Sequence, residues 1–129
     1  MQEKPKHILC IEDEAEMIEL MRLILTRKGY QVSGAAGGQE GLDKVFSEMP
    51  DLVLLDLMMP DMGGWEVYQQ MKANGKAKDI PVIIVTAKAQ SIDKVLGLYI
   101  AKVDDYIAKP FSPSELVESV ERVLAKQKT

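Results

Sequence analysis

Three acidic positions and one lysine stand out by where they fall in the chain. Asp56 ends the run Leu52-Val53-Leu54-Leu55 and is followed by Leu57-Met58-Met59-Pro60, so a carboxylate interrupts an apolar stretch. Burying an unpaired charge is costly, and such a group normally pairs, protonates or binds a metal. Glu12 and Asp13 follow a second apolar run, Ile8-Leu9-Cys10-Ile11. Thr86 closes a third, Val82-Ile83-Ile84-Val85, and Lys109-Pro110 follows Tyr106-Ile107-Ala108. If these runs are strands of one parallel sheet, the polar residues share the rim where ligands bind, beyond the carboxyl ends of the strands. Two like charges about 4 Å apart repel by roughly 4 kcal/mol at an effective dielectric of about 20. Glu12, Asp13 and Asp56 crowded together therefore call for cations. Lys109 can supply one positive charge, and Mg²⁺, which favours carboxylate oxygens with room for water, is the natural second.

Each residue also has a plainer explanation. Acidic residues after a strand serve as helix caps, which suits Glu14 best and suits Glu12 and Asp13 as well as metal binding does. An Asp ending a strand is commonly a turn residue, a Thr there reflects strand propensity, and Lys-Pro makes turns. Convergence on one rim separates the two accounts, because capping and turn formation give no reason for it.

The rest of the pattern supplies the elements that must hold these residues. His7 to Ile11 is apolar without alternation, as in a strand buried on both faces. Met17, Leu20, Met21, Ile24 and Leu25 recur at helical spacing, and Gly29 sits where a helix-ending glycine belongs. Tyr30 to Ala35 reads as a second strand. Leu42, Val45, Phe46 and Met49 form a second helical stripe stopped by Pro50. Leu52 to Leu55 is a third strand, Trp65 to Ala73 a third helix, and Pro81 to Thr86 a fourth strand. Ser91 caps a fourth helix over Ile92 to Ala101, Asp104 to Ala108 is a fifth strand, and Ser112-Pro113-Ser114-Glu115 opens the last helix. Five successive βα units predict an α/β, doubly wound, five-stranded parallel sheet with right-handed crossovers.

Composition agrees with one domain spanning residues 1–129. The chain has 129 residues, 47% hydrophobic and 28% charged, enough apolar material for one core. A net charge of −4 with intermixed signs gives no reason to expect direct nucleic-acid binding. The single cysteine, Cys10, cannot form an internal disulfide and suggests a reducing compartment. No apolar run approaches a membrane span, and the first residues lack the apolar core of a signal peptide, so a cytoplasmic protein is expected.

Four motifs, in order and each on the right element, resemble the receiver domain of two-component response regulators, the CheY-like family. They are Ile11-Glu12-Asp13-Glu14, Leu54 to Pro60 around Asp56, Val85-Thr86-Ala87, and Asp104-Asp105-Tyr106-Ile107-Ala108-Lys109-Pro110-Phe111. The likeness runs from about Lys6 to Lys126. It implies a flavodoxin-like sheet with strand order 2-1-3-4-5. It implies Asp56 as phosphoacceptor, and Glu12, Asp13, Asp56 and the Met58 backbone carbonyl as Mg²⁺ ligands. Lys109 would pair with the phosphoryl group, Thr86 would sense it, and Tyr106 would change rotamer with Thr86. The Lys109-Pro110 bond would be cis. The donor would be a sensor histidine kinase or phosphotransfer protein. The target would be a protein bound through the fourth helix, fifth strand and last helix, with a homodimer as a further possibility.

Departures from the family pattern carry their own expectations. Lys102-Val103 replaces the usual Gly-Ala, and Leu98, Tyr99 and Ile100 lie close by. Tyr99, Val103 and Ile92 are expected to be partly exposed near Tyr106, as a partner or self-association surface. Ordinary packing around a bulkier loop is the alternative. Gly63-Gly64 removes a helix cap and loosens the loop after Asp56. Met58 and Lys88 occupy the positions that shape water access, and an apolar Met58 predicts slow to moderate dephosphorylation. The chain closes near the end of its last helix, which fits either a lone domain or a piece of a longer regulator or hybrid kinase.

Other functions fit less well. A Mg²⁺-dependent aspartyl phosphatase needs a second Asp two residues after the first, where Met58 stands. A flavodoxin-like cofactor binder needs hydroxyls after the first strand, where Glu12-Asp13-Glu14 would repel phosphate. A receiver-shaped module that is never phosphorylated has no need of Asp56, Thr86 and Lys109 together. Gly34 to Gly38 matches no nucleotide-binding motif. His7, Cys10 and Trp65 are expected to be structural.

Overall fold

In the computed structural model, which describes residues 4–87 and 103–127, the chain forms a single parallel sheet with helices on both faces. The elements run β1 (His7–Ile11), α1 (Ala15–Thr26), β2 (Gln31–Ala35), α2 (Gly38–Glu48), β3 (Leu52–Leu55), α3 (Gly64–Ala73), β4 (Val82–Thr86), β5 (Asp105–Ala108) and α4 (Pro113–Lys126). The strand order is β2-β1-β3-β4-β5, every pair parallel, which is the expected flavodoxin-like arrangement.

Strand geometry sorts the apolar runs onto two faces. Successive side chains point to opposite sides, so Ile8, Cys10, Leu52, Leu54, Ile83 and Val85 pack with α1 and α4 residues such as Met21, Leu25, Leu116 and Val120. Leu9, Ile11, Val53, Leu55, Val82 and Ile84 pack with Leu42 and Val45 of α2 and Val67 and Met71 of α3. Strands β1, β3 and β4 are buried on both faces, which is why they read as continuous apolar runs.

Local signals account for the element ends. Gly29 adopts φ +91° after α1, and Tyr30 N–H closes back onto the Leu25 carbonyl. Ser112 and Glu115 form a reciprocal capping box at α4, with Pro113 at its first position. The second helix differs from expectation. It ends at Glu48, and Met49 takes a left-handed conformation (φ 46°) one residue before Pro50. Met49 consequently lies beyond the helix and is 42% exposed, and Phe46, still within α2, is 41% exposed, outside the apolar stripe.

Val103 corrects a second expectation. It is buried, within the core cluster that includes Tyr68, Met71, Val82 and Ile84, so it does not contribute to an exposed surface. The chain runs directly from Val103 into Asp104, whose N–H donates to the Val82 carbonyl and whose carboxylate accepts from Val82 N–H at 2.8 Å. That anchorage draws the preceding side chain inward. Lys88, Ser91, Ile92, Leu98, Tyr99, Ile100, Lys102 and the expected fourth helix lie outside the described residues.

Candidate phosphoryl and metal site

Parallel pairing brings the strand ends together. Ile11 is in register with Leu55, and Asp56 N–H donates to the Ile11 carbonyl at 3.0 Å, so Glu12 and Asp56 leave the sheet side by side. On the other side of β3, Ile84 pairs with Leu55 and with Tyr106. The Lys109 N–H donates to the Thr86 carbonyl at 2.8 Å, which fixes the lysine to the end of β4. The peptide bond from Lys109 to Pro110 is cis, as the resemblance implies.

The side chains at these strand ends converge. Carboxylate oxygens of Glu12, Asp13 and Asp56 lie within 4.8 Å of one another. Lys109 Nζ donates to Glu12 Oε2 at 2.8 Å and reaches Asp56 Oδ2 at 3.5 Å. Glu14 Oε1 is farther, at 3.9 Å, on an exposed side chain. Glu12, Asp56 and Thr86 are buried, whereas Asp13 is exposed and open to solvent.

Electrostatics follow from that geometry. Burial pushes Glu12 up to about 7, helped by the neighbouring Asp56 and opposed by Lys109. Burial works against the Lys109 ammonium, but its hydrogen bond to Glu12 and the Asp56 charge outweigh it and hold its pKa above the ordinary value. Lys109 leaves Glu12 incompletely satisfied. Glu12 Oε1 is buried and has no hydrogen-bond partner. A buried carboxylate oxygen without a donor is costly, and a cation is one group that relieves it.

The Met58 N–H donates to Asp56 Oδ1 at 3.1 Å, and its side chain is 63% exposed. Tyr106 is 42% exposed on β5, its N–H bonded to Asp105 Oδ1 at 2.8 Å. Asp105 also accepts from Ser119 Oγ at 2.6 Å and from Arg122, tying β5 to α4. His7 lies at the far end of β1, against Ser33 and Glu48, and Cys10 is buried with its thiol pushed up to about 12 by burial. Trp65 packs on the core, edge-on to Tyr68. None of these three joins the rim.

The sequence-based reading missed Asp61 and took Gly64 only for a lost cap and a looser loop. A side chain on Gly64 would place its Cβ 2.3 Å from the Asp56 carbonyl oxygen, so only glycine lets α3 begin against the backbone of Asp56. Asp61 accepts hydrogen bonds from Gly38 N–H at 3.1 Å and Gln39 N–H at 3.2 Å, bridging the loop after Asp56 to the start of α2. The Gly at position 64 was visible in the sequence, but its close approach has no local signature. Asp61's partners are backbone amides, which no residue type announces.

Comparison with known proteins decides the family. Residues 8–121 match the response regulator receiver domain. The chain belongs to that family. This receiver domain is 40% identical over 121 residues to the alkaline phosphatase synthesis transcriptional regulatory protein PhoP of Bacillus subtilis, covering 94% of this chain and 49% of the relative. It thus spans about half the length of that relative. A CheY-like receiver domain protein from Methanospirillum hungatei superposes with TM-score 0.86 at 33% identity, covering 96% of this chain and 97% of that one. The response regulator TrrA of Thermotoga maritima, solved in complex with Mg²⁺-BeF, gives TM-score 0.81 at 36% identity over 92% of this chain and 98% of that one. Receiver domains are phosphorylation-dependent switches of two-component signalling rather than turnover enzymes. Among the described residues, no helix is long and apolar enough to cross a membrane.

Proposed function

We propose that the chain, as one receiver domain over residues 1–129, accepts a phosphoryl group on Asp56 from a phosphohistidine of a sensor kinase or phosphotransfer protein. The observation that carries this reading is the buried meeting of Glu12, Asp56 and Lys109 beside Asp13, with one Glu12 oxygen unpartnered. Glu12, Asp13, Asp56 and the Met58 backbone carbonyl would hold Mg²⁺. The donor set fits, since it is all oxygen and Asp13 is open to water. The Mg²⁺ complex of TrrA supports the same choice of ion. Bound there, Mg²⁺ supplies charge neutralisation for the phosphoryl oxygens.

The chain's own residues do the rest. An Asp56 carboxylate oxygen forms the new P–O bond as the donor's P–N bond breaks, and the departing imidazole nitrogen takes up a proton. Lys109, already held between Glu12 and Asp56, pairs with the transferred group. Thr86 hydrogen-bonds to the phosphoryl oxygens and moves inward, and the exposed Tyr106 follows. The surface altered is that of β5, α4 and the helix expected over 92–101, where a protein target or a second copy binds. A cytoplasmic setting goes with a kinase donor. The exposed, apolar Met58 cannot orient a water, so the aspartyl phosphate decays slowly to moderately.

Incubation with Mg²⁺ and acetyl phosphate, followed by intact mass, tests the chemistry. One phosphoryl group per chain is expected, absent in Asp56→Asn and absent when the metal is chelated. No adduct on the wild type, or an adduct that survives Asp56→Asn, overturns the assignment.

A further inference from the structure

The loop from Asp56 to Gly63 carries the phosphoacceptor and the proposed Met58 ligand, so whatever fixes it also fixes the site. Its two ends are held locally. Met58 N–H bonds Asp56 Oδ1 at 3.1 Å, and Gly64 N–H bonds the Leu57 carbonyl at 3.1 Å. Its middle is held from outside, by α2.

Helix α2 is preceded at its capping position by Gly37, which has no side chain with which to cap it. Asp61 supplies the cap from a distance, one carboxylate oxygen on each of the Gly38 and Gln39 amides, 3.1 Å and 3.2 Å away. These are among the amides a helix leaves unpaired at its start, where a negative charge is favoured. They also hold the Asp61 carboxyl below its ordinary range. The surrounding backbone is shaped to admit the contact. Gly37 adopts φ +119°, and a Cβ there would lie 3.1 Å from Asp61 Oδ1. A Cβ on Gly38 would lie 2.8 Å from the Met62 carbonyl oxygen. One turn along, Gly41 lets α2 rest on Ile11, the residue before Glu12, where a Cβ would come within 2.6 Å of Ile11 Cγ2. Through α2, then, Asp61 connects the loop bearing Asp56 to the strand end bearing Glu12 and Asp13.

From this juxtaposition we propose that Asp61 is a positioning residue for the metal and phosphoryl site, setting the separation between the Glu12–Asp13 pair and the loop of Asp56 and Met58. The inference rests on the proposed Mg²⁺ site. It concerns a residue that touches neither the metal nor the reacting atoms and acts through α2 and the loop.

The test is Mg²⁺ titration followed by fluorescence of Trp65, the chain's only tryptophan, in the first turn of α3. Wild type, Asp61→Asn and Asp61→Ala are compared, with far-UV circular dichroism as the measure of folding. Asn keeps one acceptor oxygen and loses the charge, whereas Ala keeps neither. Mg²⁺ affinity is expected to fall about tenfold in Asp61→Ala, with Asp61→Asn between it and wild type, at equal helix content. A purely structural cap would lower the unfolding temperature and leave the affinity of the folded protein unchanged. Folded variants that all bind Mg²⁺ within about twofold of wild type overturn the proposal. If Asp61→Ala does not fold, a wild-type affinity in Asp61→Asn overturns it alone. A wild-type chain that takes up no Mg²⁺ removes the metal site itself and this inference with it, and that result is distinct from the others.

Discussion

The two ends of the sheet both carry polar networks, and they are finished differently. At the amino end of β1, His7 Nε2 lies 2.8 Å from Ser33 Oγ, which donates to Glu48 Oε1 at 2.9 Å. The His7 N–H bonds Asp51 Oδ2 at 2.7 Å, and the Asp51 N–H returns to the His7 carbonyl at 2.8 Å. These links join β1, β2, α2 and the start of β3 in a closed set. At the carboxyl end, two buried carboxylates share one lysine and a buried oxygen of Glu12 has no partner. A network that only holds strands together can be completed by the chain. The open one leaves a buried oxygen that the proposed Mg²⁺ would engage.

Removing the shared cation should break that contrast most severely. Lys109→Ala leaves the buried Asp56 carboxylate without its cation and drives Glu12 further toward its protonated form, and should cost about 3–5 kcal/mol near neutral pH. Urea unfolding in metal-free buffer measures it. A loss as small as that of an exposed ion pair would mean that the rim is better hydrated than its burial implies.

Gly64→Ala should come next. Its Cβ would press on the Asp56 carbonyl, and relief of that contact costs about 1–3 kcal/mol by shifting either α3 or the phosphoacceptor. Denaturant unfolding together with the acetyl phosphate reaction rate reports both, and both should fall.

The pH dependence sharpens the comparison more gently. Glu12 is raised from 4.5 to about 7, so the folded state binds the proton more tightly than the unfolded chain does. Its stabilising contribution is therefore complete below about pH 4.5 and is lost as pH rises toward about 7. Metal-free wild type should lose stability across that window, while Glu12→Gln, which cannot titrate, should not show this loss. Lys109 is raised too, and its contribution persists until pH passes above the ordinary lysine range.

The smallest effect belongs to the closed network. Ser33→Ala should cost about 1 kcal/mol, the worth of an ordinary hydrogen bond, and leave phosphorylation unchanged. A fall in the phosphorylation rate would mean that the two ends are coupled.

Much of this was legible in the residues because strands buried on both faces leave little ambiguity. Leu52 to Leu55 matches β3 residue for residue, and the polar residues after β1, β3, β4 and β5 could be assigned to one rim before any coordinates. What escaped depends on backbone. Asp61 meets amides 22 and 23 residues away, and Gly64 matters for what lies against it. Val103 looked exposed because its neighbours were apolar, yet Asp104 anchors it inward beside β4. Phe46 and Met49 kept helical spacing, but Phe46 is exposed on α2 itself and Met49 lies one residue past its end.

The central claim is that the acidic rim is completed by a divalent cation, and calorimetric titration with Mg²⁺ tests it most directly. One ion per wild-type chain is predicted, with binding lost in Asp13→Asn and in Asp56→Asn. A wild-type titration without saturable heat, or variants that bind as wild type does, would contradict it.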